Sequence, residues 1–321
     1  MSRRGIAIAV TVGLLAGPAA ARSSSAGLDV EATVAALRGL RDRARQHTAG
    51  LPTRFEARRT AWQTTPLRLV LSGARAPGED DPYPLTHPLF LLGWDDGRLL
   101  LVEAGLAPEG ARSFGRPAEF LGAEPGVCGR DAFAGIAPAA IRGAVFSHLH
   151  VDHIGGLGVL CAGGVAIPIR VSPEQQASDE RWEVQGRERL DAWVEEGCVR
   201  REPFELIDPA SPAPGLAGFG GVHRVATPGH TPGSQILVAF VRDGPTAPRA
   251  VVIAGDIVNH RAGFRLDRPK PWWYRRLIVR EADGLQATNR RLLARLDAEG
   301  FEILVNHDLG VPAGTAGTEC P

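Results

Sequence analysis

The sequence predicts an α/β fold, on three observations. Short apolar runs of strand character alternate with stretches of helical periodicity along the 321 residues. The composition, 44% hydrophobic and 22% charged, is that of a globular chain able to bury a substantial core, which excludes disorder. No repeat of solenoid length is visible, which excludes an array of stacked units. The length allows two domains or one layered α/β domain with insertions.

The elements follow in order. Arg3 and Arg4, an apolar run from Ile6 to Ala16, and small residues at Ala19 and Ala21 form an export signal, with cleavage expected after Ala21. The run is too short to span a bilayer, so residues 1–21 read as a removed peptide and no membrane anchor is expected. The twin arginines leave the secretory or twin-arginine route open. From Leu28 to His47 the residues Val30, Val34, Leu37 and Leu40 recur at helical intervals, giving a helical extension over residues 22–66. Strands are predicted at Leu67 to Leu71, Pro88 to Gly93 and Leu99 to Glu103, the last two joined through Asp95-Asp96-Gly97. The stretch Ala107 to Pro138, rich in Gly, Pro and Ala without a period, reads as a long loop. Next come a strand at Gly143 to Phe146, a helical stretch from Pro173 to Glu196, and strands at His223 to Val225, Ile236 to Val241 and Val251 to Ile253. A helix from Glu281 to Glu299 and a strand from Ile303 to Val305 complete the pattern.

Thirty-six basic residues balance thirty-six acidic ones, so no net field draws the chain to nucleic acid or to an anionic membrane. Lys270 is the only lysine. Cys128, Cys161, Cys198 and Cys320 lack zinc-knuckle spacing; in an oxidising compartment they allow one or two disulfides, which the sequence does not pair.

The chemistry concentrates in Ser147-His148-Leu149-His150-Val151-Asp152-His153, directly after an apolar strand and before Gly155-Gly156. Residue frequencies give such a match by chance in roughly four chains in ten thousand, so coincidence is a poor explanation. Alternate residues of an extended turn point the same way, so His148 and His150 can grip one ion while Asp152 and His153 face a second. Imidazole and carboxylate suit borderline divalent ions and leave a position for water. Further donors stand after predicted strands: His230 in Thr227-Pro228-Gly229-His230, Asp256 in Ala254-Gly255-Asp256, and His307 in Asn306-His307-Asp308. Ligands at the ends of several strands converge on one edge of a sheet.

With these motifs the chain resembles the metallo-β-lactamase-fold hydrolase superfamily, from about Leu67 to Gly310, and residues 67–321 are expected to form that domain. The resemblance implies an αββα sandwich of two mixed β-sheets flanked by helices, with the metals at one edge. It places His148, His150 and His230 on one metal, Asp152, His153 and His307 on the other, and Asp256 between them. Glu103 stands where the family often has aspartate. β-Lactamases of this superfamily lack the bridging aspartate, so Asp256 argues against β-lactam hydrolysis. Acyl-homoserine lactonases carry a tyrosine shortly after it, where this chain has Ile257-Val258-Asn259-His260. His47, His87 and His223 fall outside the ligand pattern and are expected on the surface or in the core. Trp272-Trp273-Tyr274 is either a wall of the substrate site or loop packing.

Two metals sharing a water lower its pKa toward about 7 and so generate hydroxide at neutral pH. Asp152 is the expected catalytic residue, orienting that nucleophile and returning a proton. The expected protein is an exported hydrolase of esters or lactones with two divalent metal ions, zinc being the ion expected, acting on a small-molecule substrate. Alternatives are hydrolysis of organophosphate triesters, hydrolysis of thioesters in the manner of glyoxalase II, an iron dioxygenase on the same fold, and a metal-binding module without turnover.

Overall fold

A computed structural model describes residues 27–73, 82–119, 124–127, 130–161 and 164–308. The export signal expected over residues 1–21, Cys128 and Cys320 lie outside them. Helix α1 (Val30–Gln46) is capped by Asp29, whose carboxylate accepts from the Ala32 amide. Then come β1 (Arg54–Pro66), β2 (Pro82–Gly93), β3 (Leu99–Ala104), α2 (Pro108–Glu119), β4 (Glu124–Val127) and β5 (Ile141–Val145). They are followed by α3 (Val151–Ile154), α4 (Leu157–Cys161), β6 (Ile167–Ile169), α5 (Pro173–Ala177), α6 (Arg181–Glu195) and β7 (Val199–Arg201). The remaining elements are β8 (Leu206–Ile207), β9 (Gly215–Leu216), β10 (Val222–Ala226), β11 (Gln235–Val241), β12 (Arg249–Ile253), α7 (Ala262–Arg265), α8 (Asp283–Ala298) and β13 (Glu302–Leu304).

The strands form a seven-stranded sheet, in the order β4-β1-β2-β3-β5-β6-β7, and a six-stranded sheet, in the order β13-β12-β11-β10-β9-β8. Both are mixed. β3, β5, β6 and β7 run parallel in the first, and β12 and β13 in the second; the other pairs are antiparallel.

Side-chain alternation along the strands builds four layers. Leu237, Ala239 and Val241 of β11 meet Phe90, Leu92, Leu100 and Val102 of the first sheet, filling the space between the sheets. The residues between them, Ile236, Val238 and Phe240, pack with Val34 and Leu37 of α1 and Leu292, Leu293 and Leu296 of α8. On the far face of the first sheet Leu89, Leu91 and Leu101 pack with Ile154, Leu157, Leu190 and Trp193 of the helices. A strand buried on both faces carries no polar alternation, which is why β11 reads as a continuous apolar run. The α/β fold class and the αββα sandwich expected of the chain are therefore both present.

Several sequence expectations need correction. The strand predicted at Leu67 to Leu71 is a short 3-10 turn, Leu67–Leu69, and the strand lies upstream as β1. β1 pairs with β2 and β4, so the sheet starts inside the segment assigned to a helical extension, and the boundary at residues 66 and 67 does not separate two units. Its sequence hid this because polar side chains occupy its buried positions. Arg58 donates to the Ala132 and Ala134 carbonyls and to Glu56, and the Thr60 hydroxyl donates to the His87 carbonyl. The loop predicted from Ala107 to Pro138 contains α2 and β4. The helical stretch at Pro173 to Glu196 divides into α5 and α6, because Glu180 caps α6 by accepting from the Trp182 and Glu183 amides. Cys161 and Cys198 are joined by a disulfide that ties α4 to the start of β7. Among the described residues no helix is long and apolar enough to cross a membrane.

Candidate metal centre

β3, β5, β10, β12 and β13 end at the same edge of the sandwich, and each delivers a polar side chain there. β5 leads into His148 and His150, and α3 begins at once, with Asp152 and His153 in its single turn. Two glycines permit the close approach this requires. Gly186 of α6 lies against the histidine loop, where a Cβ would stand 1.5 Å from the Leu149 carbonyl oxygen. Gly255, at φ +53°, turns the chain from β12 into Asp256, and a Cβ there would sit 2.5 Å from that of Ser147. Glu103, the last residue but one of β3, has φ +56°, a conformation that non-glycine residues adopt at a cost and that clusters at functional sites.

The seven residues expected to bind metal all converge and all are buried. Among the described residues three groups place ligand atoms within 4.8 Å of one another: His148, His150 and His230; His148, His153 and Asp256, which shares His148 with the first; and His87, Asp152 and His307. Asp256 stands between the two histidine sets. Its Oδ2 is 3.5 Å from His230 Nε2 and 3.1 Å from His307 Nε2, and its Oδ1 is 3.3 Å from His153 Nε2. Asp152 Oδ2 lies 3.5 Å from His307 Nε2 and 3.7 Å from His153 Nε2.

Each of these imidazoles is held from behind through one nitrogen. His148 Nδ1 is 3.0 Å from the Ser147 hydroxyl, His153 Nδ1 is 3.0 Å from Glu103, and His150 Nε2 is 3.1 Å from Glu180. His230 Nδ1 donates to Glu281 at 2.7 Å and His307 Nδ1 to the Thr86 carbonyl at 2.8 Å. Such outer contacts fix the tautomer and aim the other nitrogen inward. Inward, His148 Nε2, His153 Nε2, His230 Nε2 and Asp256 Oδ1 are buried without a hydrogen-bond partner. Unpaired buried polar atoms cost about 1–3 kcal/mol each, so a cluster of them is explained by a ligand that uses lone pairs. Divalent metal ions fit this donor set.

The charges of the groups divide the site. Burial holds His148 well below the usual imidazole range, and burial with the nearby Lys270 ammonium brings His230 down to about 4. For His153 and His307 burial works the same way but is outweighed: Glu103, Asp152 and Asp256 raise the first, and Asp256 and Asp152 the second. Asp152 and Asp256 are held as anions, the penalty of burial being overcome by the histidines around them.

Several residues of the site lay outside the expected ligand set. His87, expected on the surface or in the core, is buried with Nδ1 3.3 Å from Asp152 Oδ2. Glu103 makes the contact to His153 and also accepts from the Ser147 amide at 2.8 Å. Lys270 is buried behind His230, donating to Glu281 at 2.8 Å and to the Asp256 carbonyl at 2.5 Å. Its being the only lysine was the sole hint. Tyr274 opens a π-helical turn, Tyr274–Ile278, with the Lys270 ammonium 5.2 Å from its ring centroid. Burial, then the carboxylates of Asp256, Glu281, Asp152 and Glu180, push its phenol well above its ordinary range. Trp272 of the same aromatic run is exposed. His260 accepts from the Ala262 amide and shapes a turn, and His223 holds the Ala213 carbonyl on β10.

The match of a family model decides the affiliation: the metallo-beta-lactamase superfamily model fits residues 83–304. The chain belongs to the metallo-β-lactamase superfamily. Solved structures share its fold. An N-acyl homoserine lactone hydrolase with the product N-hexanoyl-L-homoserine at its catalytic metal centre is 19% identical, over 81% of this chain and 95% of that one, with a TM-score of 0.55. A mutant of AiiA from B. thuringiensis with N-decanoyl-L-homoserine bound is 20% identical over the same shares, also at 0.55. AidC, a dizinc quorum-quenching lactonase, is 12% identical over 83% of this chain and 93% of that one, at 0.51. At these identities the likeness is one of fold. No curated protein sequence matches the chain.

Proposed function

We propose that this superfamily member is an exported hydrolase of esters or lactones that uses two divalent metal ions, zinc being the ion its histidine-rich donor set favours. The observation that carries the reading is the inward ring of unpaired donors on His148, His153, His230 and Asp256, the three histidines each backed by an outer hydrogen bond. His148, His150 and His230 would hold one ion, Asp152, His153 and His307 the other, with Asp256 between them. When bound, the pair supplies Lewis acidity and a nucleophilic water of lowered pKa.

The chain's own residues do the rest. Asp152, held as an anion by His153 and His87, is the group that accepts a proton and returns it to the departing oxygen. Tyr274 keeps its proton and can donate a hydrogen bond to a substrate carbonyl. Lys270 and Glu281 hold His230 in one orientation. The solved lactonase folds support lactones as the first substrates to try.

Reconstituted protein assayed beside its metal content on lactones, aryl esters, thioesters and phosphotriesters tests the proposal. Hydrolysis of a lactone or ester that scales with two ions per chain is expected. Cleavage confined to thioesters or phosphotriesters would move the assignment to those classes, and metal uptake with no turnover on any of them would refute it. Export is supported by the Arg3-Arg4 start, the apolar run and the Cys161–Cys198 disulfide, which persists in oxidising compartments. An N-terminus at Arg22 in protein from the native host is expected by mass spectrometry; an intact Met1 would refute it.

A further inference from the structure

We infer that His87 is an additional ligand of the second metal, so that this site is built from His87, Asp152, His153, His307 and Asp256; the inference rests on the two-metal proposal. Every imidazole of the motif set has one nitrogen tied to an outer partner. His87 differs: it is 1% exposed, and neither Nδ1 nor Nε2 has a hydrogen-bond partner. Burying an imidazole whose Nδ1 faces only a carboxylate oxygen 3.3 Å away, without an aligned hydrogen bond, and whose Nε2 has no partner is costly, and a core position of this kind would be better filled by leucine or phenylalanine.

The distances have the spacing of a coordination shell. Donor atoms that share one ion at bonds of about 2.0 Å lie about 3–4 Å apart. His87 Nδ1 is 3.3 Å from Asp152 Oδ2, and His307 Nε2 is 3.5 Å from the same oxygen. The ligand atoms of His87, Asp152 and His307 all fall within 4.8 Å of one another, and the His87 and His307 rings meet edge to face at 5.0 Å. Phe114 of α2 also meets the His87 ring edge to face, at 5.2 Å.

The backbone is arranged to deliver this side chain. Pairing of β1 with β2 slips between Arg59 and Ala61, opposite His87, and pairing of β2 with β3 slips between Leu89 and Phe90. Bulges of this kind re-aim side chains beside sites, and here two of them fall within three residues of one histidine. The bulged Thr60 donates its hydroxyl to the His87 carbonyl at 2.8 Å and accepts from the Leu106 amide at 2.8 Å, fixing the strand at that point.

The test compares His87→Leu and His87→Asn with the wild-type chain by competitive metal titration and by the visible absorption of the cobalt(II)-loaded proteins. Asparagine keeps a hydrogen-bond donor toward Asp152 but is a poor ligand for a borderline metal, so it separates ligation from a purely positioning contact. Losing an outer contact costs about 10- to 100-fold in affinity; losing a ligand is expected to cost more than about 100-fold for the second ion in both variants, with a changed cobalt spectrum and the first ion retained. An asparagine variant with wild-type affinity and spectrum would overturn the inference while leaving the two-metal proposal intact. A wild-type chain that takes up one ion only would overturn both. Should the leucine variant fail to fold, the asparagine variant alone decides between ligation and positioning.

Discussion

Replacing Glu281 by glutamine keeps the shape of the group behind His230 and removes its charge. Glu281 accepts from His230 Nδ1 at 2.7 Å and from Lys270 Nζ at 2.8 Å, and all three side chains are buried. Burial alone would raise the carboxyl, but Lys270 and then His230 bring it from its ordinary 4.5 down to about 2. A difference of that size corresponds to about 3 kcal/mol of preference for the anion in the folded state. Removing one partner of a buried ion pair gives a comparable figure, about 3–5 kcal/mol, because the other charge is left without compensation. Glu281→Gln should therefore lose about 3 kcal/mol in urea unfolding at neutral pH, measured on metal-free protein so that bound ions do not add stability by mass action. The sign with pH follows from the depressed value. The contribution is whole above about 4.5 and is lost as pH falls toward about 2, so the wild-type and variant curves should converge on acidification. Adding Lys270→Met removes the stranded charge and should recover most of the loss. A single variant within about 1 kcal/mol of wild type, or a double variant no better than the single, would refute this account of the pair.

Asp152→Asn should keep the fold and at least one ion yet lose about 100- to 10,000-fold in turnover, read from rates beside metal content; near wild-type turnover would remove its role as proton carrier. Tyr274→Phe should cost about 100-fold in turnover with metal content unchanged, and an unchanged rate would show that the phenol does not meet the substrate. Since His153 and His307 are raised in the metal-free site, and so keep a proton to higher pH than His148 and His230, which are lowered, loading the second site should expel protons, and its affinity should rise with pH. Calorimetry in buffers of different ionisation enthalpy measures this; binding without proton release would show those imidazoles already neutral.

The motif ligands were legible because their signal is local. His148, His150, Asp152 and His153 sit within six positions, and His230, Asp256 and His307 each follow a run apolar enough to mark a strand end. The strands β11 and β12 were readable for the same reason: burial of a strand leaves consecutive apolar residues in the chain itself. The geometry of the outer shell was not local. β1 is a strand because β2 and β4 satisfy its backbone and because Arg58 and Thr60 find carbonyl acceptors distant in sequence, so its polar residues give no period to read. His87 looks like any isolated histidine until two slips in sheet register bring it beside Asp152, 65 positions further along the chain. Glu281 and Lys270 likewise become partners of His230 only when α8 and the segment before it are packed against the end of β10. A sequence records which side chains must be buried or can bind metal through spacings of a few residues. Which distant donor completes a coordination shell, and which distant charge compensates another, depends on strand register and close packing, and those are decided when the layers come together.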